Sequence, residues 1–496
     1  MADGPAPPRC LCIHGHFYQP PRENPWTGRI EEQPSAHPYH DWNERIAAEC
    51  YAPNAAARLD GASVFVNNYA RISFDFGPTL LSWLEGSAPE AYAAILEADR
   101  AAHGAMAQAY NHMILPLAND RDRATQVLWG ARDFRHRFGR EPEGMWLPET
   151  AVSTAALEDL AAAGIQFTVL APRQAWRVRR FGSRQWHNVG GARVDPRRPY
   201  EVRLPSERRI TVFFYDAGLA QAVAFEGALD DGARLAQRLV EALGGYPPAP
   251  AGDARLASVA TDGESYGHHH RFGEMALASA LRALEQRSEV GLTNYRSFLA
   301  SHPPAYEVEL VEHSSWSCEH GVERWRADCG CNAGTPGFHQ AWRGPLRVAL
   351  DWLRDQLAPA YQRAAQAYLW DPWSARNDAV ALALDPSPAG RRAFLARHAR
   401  YPLNPREQEA VAKLLEMQRH AMLMYTSCGW FFDDISGIEA VQILAYAARA
   451  AQLAAEVLGL DLEPELLRRL AAAPSNRPEY GTGRGVYERL VAPLKR

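Results

Sequence analysis

The chain has 496 residues, of which 47% are hydrophobic, so it is long and apolar enough to bury a large core. Its 53 basic and 58 acidic side chains give a net charge of −5, which offers no reason to expect nucleic acid or an anionic membrane as a partner. No segment approaches the roughly 18 uncharged apolar residues that a membrane span needs.

The first residues, MADGPAPPRC, lack the basic and apolar segments of a signal peptide, and residues 1–9 are predicted to form a flexible tail. The seven cysteines are an odd number and do not suggest the disulfide framework of a small secreted protein. We therefore expect a cytoplasmic protein with reduced thiols.

Short apolar runs then alternate with helix-like segments, such as STAALEDLAAAG, which Ser153 opens and Gly164 closes. This alternation is typical of a parallel sheet with both faces covered. The pattern predicts an α/β fold, a distorted seven-stranded (β/α) barrel, with an open doubly wound sheet as the alternative. The predicted strands are CLCIH (10–14), ASVFVNN (62–68), YNHMILPL (110–117), GMWLPE (144–149), FTVLA (167–171), ITVFFYD (210–216) and ASVATD (257–262).

Residues 173–209 interrupt this pattern with a basic stretch. It is either a solvated insertion of short strands or a substrate lip that carries Trp176 or Trp186. After about residue 335 apolar residues recur at steps of three and four, which predicts an all-α domain. We place the barrel domain at 10–335 and the helical domain at 336–496.

Polar side chains lie at the ends of, or within, six of the predicted strands. In a barrel the carboxyl ends of the strands meet on one face, where active sites lie. Burying so many polar groups without a purpose would be costly. These residues are His14, His16, Asn67, Asn68, Asn111, His112, Glu149, Asp216, Asp262 and Glu264.

Glu149 and Asp262 form a candidate carboxylate pair. Each also has a simpler interpretation, because Glu149 could be an acid near a helix N-terminus and Asp262 could begin an Asp-Gly turn. Two carboxyls about 5 Å apart would suit a retaining glycosidase, in which one attacks the anomeric carbon and the other donates a proton.

The histidines permit a second hypothesis, a metal-dependent barrel hydrolase or deacetylase. Its ligands would be His14 and His16, with Asp262 and the triplet at residues 268–270 completing the site. The residue types alone do not separate this hypothesis from the glycosidase.

Five motifs are similar to those of glycoside hydrolase family 57, whose members include α-amylases, amylopullulanases, glucanotransferases and branching enzymes. They read, in order, HGHFYQP, NHMILPL, GMWLPET, TDGESYGH and SSWSCEHGVERW. The resemblance covers roughly residues 10–345 and is most specific in the last three motifs. The first motif departs from the family pattern because Phe17 and Tyr18 are inserted before Gln19.

The resemblance implies a retaining enzyme acting on α-1,4-linked glucans, with no metal and no other cofactor in the reaction. Glu149 would be the nucleophile, and Asp262 would be the acid/base and would need a raised pKa. His16 and His112 would bind the sugar in the first subsite. The other candidate substrate-binding residues in the barrel are His14, Gln19, Asn67, Glu264, His268 and His269. Trp146, Trp316 and Trp325 are either sugar platforms or core residues.

Two features of the last third of the chain are left open. The segment MYTSCGWFFDDISGIEA (424–440) is either a loop that brings Trp430 or Asp433 to the substrate or an ordinary interhelical turn. The segment CEHGVERWRADCGC has loose zinc-ligand spacing at Cys318, His320, Cys329 and Cys331, but it lacks the standard Cys-x₂-Cys pair, so we favour buried or rim thiols over a metal site.

Three functions are therefore weighed: a retaining α-glucan enzyme, a metal-dependent hydrolase, and a glycan-binding protein without catalysis. We favour the first, because both proposed carboxylates are present and GMWLPET has a Glu where amidohydrolase barrels usually place Lys or His. Hydrolysis and transfer share one covalent intermediate, so the sequence does not separate them. Chain-length and linkage preference, the role of the helical domain and the oligomeric state also stay open.

Overall fold

The computed structural model describes residues 9–59, 64–244 and 255–495. The predicted tail lies outside these residues except for Arg9, which begins the first strand. The strands are β1 (Arg9–Phe17), β2 (Ala57–Leu59), β3 (Val64–Val66), β4 (Ser73–Phe76), β5 (Ala105–Gln108), β6 (Met145–Trp146), β7 (Phe167–Leu170), β8 (Ala175–Arg180), β9 (His187–Asn188), β10 (Tyr200–Arg203), β11 (Arg209–Phe214), β12 (Arg255–Asp262), β13 (Gly291–Leu292) and β14 (Tyr306–Leu310). The α-helices are α1 (Trp42–Ile46), α2 (Ala52–Ala55), α3 (Pro78–Ser87), α4 (Pro89–Ala102), α5 (Asp120–Phe138), α6 (Thr154–Ala162), α7 (Ala217–Phe225), α8 (Gly232–Ala242), α9 (Gly273–Glu285), α10 (Tyr295–Ser301), α11 (Arg343–Ala365), α12 (Pro372–Asp378), α13 (Val380–Leu384), α14 (Pro388–His398), α15 (Pro405–Leu423), α16 (Cys428–Phe431), α17 (Ile438–Leu458), α18 (Glu463–Leu470) and α19 (Gly483–Val486).

The parallel strands form a distorted barrel. Pairing runs in the order β12, β1, β4, β5 and β6, and β7 pairs with β11. Two single contacts join these groups: Gly144 forms a bridge with Phe167 of β7, and the Asp216 N–H donates to the Ser258 carbonyl of β12 over 2.7 Å. The ring therefore contains β12, β1, β4, β5, β6, β7 and β11, which are seven strands, and the predicted barrel is confirmed.

Two of the predicted strands are wrong. The second barrel strand is β4, whereas the part of ASVFVNN that is described forms β3 in a separate two-stranded sheet with β2, and residues 62 and 63 lie outside the described residues. Phe65 is 62% exposed, so this apolar run is not a core strand. The third barrel strand is β5, because YNHMILPL is broken by a positive φ of 52° at His112 and by Pro116 in a 3₁₀ turn.

The barrel interior is filled from alternate positions of its strands. Cys12 of β1 and Ala260 of β12 belong to one buried cluster with Trp146, Phe167 and Phe213. Side chains at every second position of a strand share a face, so the inward positions of β1 that follow Cys12 are His14 and His16. The inward face of β1 is therefore apolar at Cys12 and polar at His14 and His16, near the carboxyl end of the strand.

The insertion at residues 173–209 contains short strands that extend a second sheet, in the order β7, β11, β10, β14, β8 and β9. Solvated ion pairs join its strands, such as Arg177 to Glu309 at 2.7 Å. The Arg177 guanidinium lies over both Trp176 and Trp186, at 4.5 and 4.9 Å from the ring centroids. The insertion has the character of solvated short strands, and the lip hypothesis remains a prediction.

The chain folds as two compact units. The first contains the described residues up to Gln19, Glu32–Ala109 and Phe134–Trp316, and the second contains Pro20–Glu31, Tyr110–Asp133 and the residues from Ser317 onward. The domain limits predicted from the sequence remain predictions.

Packing in the second unit centres on α11, α15 and α17. Alanine dominates the buried face of α17, which allows its neighbours to approach closely; the buried alanines are Ala440, Ala445, Ala447, Ala448, Ala450, Ala451 and Ala454. The predicted all-α region is confirmed. Within the described ranges, none of the helices has both the length and the hydropathy of a membrane span.

Candidate active site

Two histidines of β1 share one carboxylate of β4. Asp75 bonds through Oδ1 to His14 Nε2 at 3.0 Å and through Oδ2 to His16 Nδ1 at 2.8 Å. The register pairs His14 with Ser73 and His16 with Asp75, so all four side chains face the same side of the sheet. All four residues are buried. Sequence analysis missed Asp75, because the short strand SFDF was not recognised.

The two histidines have opposite protonation tendencies. Burial lowers the pKa of His14, although Asp75 opposes this. Burial also opposes protonation of His16, but Asp75, Asp262 and Glu264 outweigh it and raise the pKa of His16 to about 9. His16 is therefore a cation at neutral pH, surrounded by three carboxyl groups.

Glu149 lies in a 3₁₀ turn, Pro148–Thr150, directly after β6. Its φ of 57° is uncommon for a residue with a side chain, and such backbone strain often marks functional sites. The Trp316 indole Nε1 donates to Glu149 Oε2 over 2.9 Å, and the Trp316 N–H donates to the Glu149 carbonyl over 3.0 Å. Glu149 does not cap the next helix, since Ser153 is the N-cap of α6. Its side chain is therefore held by Trp316, away from any helix-capping role.

An aromatic frame surrounds the histidines. The Trp146 ring stacks on His14 and His16 with centroids 4.8 and 5.0 Å away. Trp316 meets Trp146 and His16 edge-on at 5.2 and 6.2 Å. Trp146 is fully buried, so protein covers its faces as the core-packing interpretation expected, whereas Trp316 is only partly buried.

Asp262 ends β12 beside His16. The parallel register pairs the two residues, so both project from neighbouring strands towards the same face. Residues 256–261 are buried, whereas Asp262 is exposed to solvent. Protein nevertheless surrounds its carboxyl on most sides, and this burial raises its pKa; His16 lowers it and Asp75 raises it further. Asp262 therefore lies in a recess that is open to solvent.

The turn after Asp262 is tightly packed. Asp262 makes no side-chain cap to the following 3₁₀ turn, so capping does not explain its position. A Cβ on Gly263 would collide with the Phe17 ring, which means that only glycine fits there. The backbone of this turn is thereby held close to β1.

Glu264 lies behind Asp262 and is buried. It accepts hydrogen bonds from the Tyr51 hydroxyl at 2.6 Å and the Tyr18 N–H at 3.1 Å. Burial raises the pKa of Glu264 to about 7; the Tyr51 hydrogen bond lowers it and the Asp262 charge raises it. Sequence analysis missed Tyr51, which no motif marks.

Two histidines of the triplet bond to groups other than Asp75. His268 Nδ1 bonds to Glu49 Oε2 at 2.5 Å, and His270 Nε2 bonds to the Ala224 carbonyl at 2.9 Å. Burial and its two neighbouring histidines lower the pKa of His269 to about 4. The proposed roles of His268 and His269 in substrate binding remain predictions.

Two other candidates of the first unit make local bonds. Gln19 Nε2 donates to the Tyr18 carbonyl over 2.9 Å. The prediction that Asn67 ends a barrel strand is wrong, because its side chain caps the Asn68–Arg71 turn and donates to the Ala94 carbonyl. Asn67 therefore has a structural role that the sequence pattern did not indicate.

Four candidates belong to the second unit. His112 is buried, and its Nδ1 bonds to Ser427 Oγ at 2.6 Å. Trp325 and Trp430 are almost completely buried, and the Trp430 indole donates to the Arg343 carbonyl at 3.3 Å.

Asp433, the fourth, accepts the N–H groups of Ala333 at 2.5 Å and Thr335 at 2.8 Å, so it holds a loop. The buried indoles and this loop contact match the packing and turn interpretations more closely than an open sugar surface.

Comparisons with known proteins bear on the family and the fold of the chain. A sequence model described as Glycosyl hydrolase family 57 matches residues 47–311, and one described as Domain of unknown function (DUF3536) matches residues 338–495. Alpha-amylase 1 of Dictyoglomus thermophilum is 30% identical over 100 residues. That match covers 20% of this chain and only 15% of the relative's length.

Solved structures share the fold at low sequence identity. An exo-type maltose-forming amylase from Pyrococcus sp. ST04 is 14% identical with a TM-score of 0.70, over 98% of this chain and 92% of that one. A GH57-type branching enzyme from Pyrococcus horikoshii is 16% identical with a TM-score of 0.57, over 98% and 95%. A 4-alpha-glucanotransferase from Thermococcus litoralis is 14% identical with a TM-score of 0.55, over 91% and 60%.

Proposed function

The chain belongs to glycosyl hydrolase family 57, and we propose that it cleaves or transfers α-1,4-linked glucans by a retaining mechanism. The structures named as an amylase, a branching enzyme and a glucanotransferase share its fold, which is why an α-glucan is proposed as the substrate. Water or a sugar hydroxyl would complete the reaction.

The observation that carries this proposal is a pair of carboxyl groups in contrasting surroundings beside His16 and Trp316. Glu149 is bonded to the Trp316 indole, and Trp316 meets the His16 ring. Asp262 is paired with His16 in the strand register and has a raised pKa. Two carboxyl groups in different environments have different pKa values, so one can act as the acid and the other as the nucleophile.

In the first step, Asp262 would donate its proton to the glycosidic oxygen while a Glu149 oxygen attacks the anomeric carbon. The glycosidic bond breaks, the leaving sugar departs with the proton, and an ester joins the glucosyl unit to Glu149. In the second step, the Asp262 carboxylate would accept a proton from water or from an acceptor hydroxyl. That oxygen attacks the anomeric carbon and releases Glu149.

His16 would support the acid through charge. Loss of the Asp262 proton leaves a second carboxylate near Asp75, and two such charges repel each other. The His16 imidazolium, which Asp75 holds in place at 2.8 Å, favours the carboxylate form of Asp262 at that moment. His14 would serve mainly to orient Asp75 from the other side.

Trp316 would position the nucleophile and receive the sugar. Its indole N–H donates to Glu149 Oε2 over 2.9 Å and so fixes the orientation of the carboxylate. Because Trp316 is only partly buried, its ring offers an apolar surface for a pyranose, unlike that of the fully buried Trp146.

The first experiment measures what the enzyme makes. The protein is incubated with maltooligosaccharides and with amylose, and reducing ends, chain redistribution and new α-1,6 branches are all measured. The proposal expects at least one of these products from the wild type and almost none from Glu149→Gln. A matched control, Glu85→Gln, changes a surface acid on α3 and should retain wild-type activity. Absence of all three products from both glucans would contradict the proposal.

A second experiment assigns the two roles through stereochemistry. It uses an α-glucosyl fluoride, which needs no acid, together with azide. In Glu149→Ala, azide replaces the missing nucleophile and should give a β-glucosyl azide by a single displacement. In Asp262→Ala, azide attacks the glucosyl-enzyme and should give the α-azide by a double displacement. The same anomer from both variants would contradict the assignment.

A further inference from the structure

A cluster of sulfur and nitrogen ligands lies in the second unit, in the segment that follows SSW. Cys318 Sγ and Cys329 Sγ are 3.9 Å apart, and Cys331 Sγ is 3.6 Å from His320 Nδ1. All four ligand atoms lie within 4.8 Å of one another. The seven cysteines all lie in the described residues, and none is in a disulfide. The Cys318–Cys329 separation is far beyond the S–S bond length of about 2.05 Å.

These separations have the size of the edges of a zinc tetrahedron. With Zn–S distances of about 2.3 Å and Zn–N distances of about 2.0–2.1 Å, the S···S edge is about 3.8 Å and the S···N edge about 3.6 Å. The Cys318–Cys329 and Cys331–His320 separations, 3.9 and 3.6 Å, match those edges to within about 0.1 Å. Small rotations of the side chains would bring the remaining ligand atoms to these separations, since no two of the four atoms are more than 4.8 Å apart.

Backbone groups already surround the sulfurs. The N–H groups of Arg324 and His320 donate to Cys318 Sγ, and the N–H of Glu319 donates to Cys331 Sγ. Hydrogen bonds of this kind favour the thiolate, which is the form that binds a metal. The loop therefore places backbone N–H groups beside two of the three sulfurs.

Buried positive charge accompanies the cluster. Arg343 is fully buried and donates to the Cys331 carbonyl over 2.6 Å, and Arg324 is 6% exposed and donates to the Asn332 carbonyl over 3.3 Å. A zinc ion with three thiolates and a neutral imidazole carries a net charge of about −1. Such a centre would add a second anionic partner beside Asp433, whose charge already acts on Arg343.

We propose that one structural zinc ion is bound by the side chains of Cys318, His320, Cys329 and Cys331. On binding, the three thiols pass their protons to solvent and the imidazole binds as the neutral base. Four protein ligands leave no position for water, so the ion has no catalytic role. The geometry rests on the second unit alone and is independent of the proposed glucan chemistry.

The ion would fix a segment that has little regular structure of its own. Between Cys318 and the start of α11 at Arg343, the described backbone contains one 3₁₀ turn, Glu323–Trp325. The segment is further anchored where Asp433 accepts the N–H groups of Ala333 and Thr335. A metal that binds these ligands only in the folded loop would stabilise the folded chain by its binding free energy.

The test measures metal content in the full chain. The protein is expressed with zinc in the medium and purified under reducing conditions, and its metals are quantified by mass spectrometry. About one zinc ion per chain is expected. The zinc content of the double variant Cys329→Ser/Cys331→Ser should be lower by at least about ten-fold. Cys428→Ser, a cysteine on α16 of the same unit outside the cluster, should retain the zinc.

A second measurement keeps the test decisive if the double variant folds poorly. His320→Ala removes an exposed ligand, and the wild type and this variant are each loaded with cobalt. The wild type should show the visible bands of tetrahedral cobalt and near-ultraviolet thiolate charge transfer, and the variant should bind cobalt more weakly. The proposal is overturned if wild-type protein takes up no zinc under reducing conditions, if iron replaces it, or if Cys329→Ser/Cys331→Ser retains it.

Discussion

The substitution Asp75→Asn tests the electrostatics of the barrel site. Asp75 is the largest of the carboxyl influences that raise the pKa of His16, against the burial that lowers it. An asparagine keeps the size of the side chain but not the charge. Burial then dominates, and the pKa of His16 should fall to near or below its ordinary value of 6.5.

The magnitude follows from the pKa. Raising it from 6.5 to about 9 favours the imidazolium by about 3 kcal/mol, at about 1.4 kcal/mol per pKa unit. A raised histidine pKa contributes stability that is complete below the unfolded pKa and is lost as the pH rises through the folded one. The difference in free energy of unfolding between wild type and Asp75→Asn should therefore shrink by about 3 kcal/mol from about pH 6 to about pH 10.

The assay is hydrogen–deuterium exchange at the imidazole C2 position, measured across pH in the peptide that contains His14 and His16. The wild type should show one titration below 6.5 and one near 9, as the pKa values of His14 and His16 require. In Asp75→Asn the upper step should disappear. The control Asp99→Asn removes a buried carboxylate that pairs with Arg140 at 2.7 Å and should keep the upper step. An upper step that survives in Asp75→Asn would refute this reasoning.

Three further predictions concern the carboxyl groups. Glu149→Gln and Asp262→Asn should each lower kcat on maltooligosaccharides by at least about a hundredfold, while an activated fluoride substrate should restore the first step, seen as a burst of fluoride release, only in Asp262→Asn. Trp316→Phe removes a hydrogen bond to a carboxylate worth about 1.5–3 kcal/mol, so kcat/KM should fall by about 10- to 150-fold while the far-ultraviolet circular dichroism spectrum stays unchanged. Because burial raises the pKa of Glu264 from 4.5 to about 7, wild type loses stability as the pH rises through that range. In urea unfolding, the free energy of unfolding of Glu264→Gln should therefore rise by about 3 kcal/mol relative to wild type between about pH 5 and pH 8. A difference in free energy of unfolding that does not change with pH would contradict this.

The parts of the fold that sequence predicted well are those where burial is continuous. CLCIH, FTVLA, ITVFFYD and ASVATD all correspond to barrel strands, because a parallel strand covered on both faces reads as an unbroken apolar run. Their carboxyl ends supplied His14, His16 and Asp262 directly.

The errors have a local cause. β4 is four residues long and contains Asp75, so its apolar pattern is too short and too polar to distinguish it from a loop. The more apolar segment VFV favoured a barrel strand at residues 64–66 instead, although Phe65 is exposed to solvent in a two-stranded sheet. β4 carries Asp75, which bonds to both His14 and His16. Because β4 was not predicted, Asp75 was not predicted as a site residue either.

Tertiary contacts account for what the sequence left open. In the sequence, Trp146 and Trp316 are equally good candidates for a sugar platform. Only the structure distinguishes them, because Trp146 is fully buried and Trp316 is partly buried. Tyr51 reaches Glu264 across 213 positions of the chain, a separation that no local pattern reveals. Cys318 and Cys331 likewise lack the usual ligand spacing and meet only because the loop folds back.

The central claim is that Glu149 becomes covalently bound to a sugar, and trapping that bond tests it most directly. A 5-fluoro-α-glucosyl fluoride is incubated with Asp262→Asn, in which release of the intermediate should be slow, and the protein is digested and analysed by mass spectrometry. A fluoroglucosyl group on the peptide containing GMWLPET, located at Glu149, is the predicted result. A sugar attached to any other side chain, or release of fluoride with no covalent adduct, would contradict it.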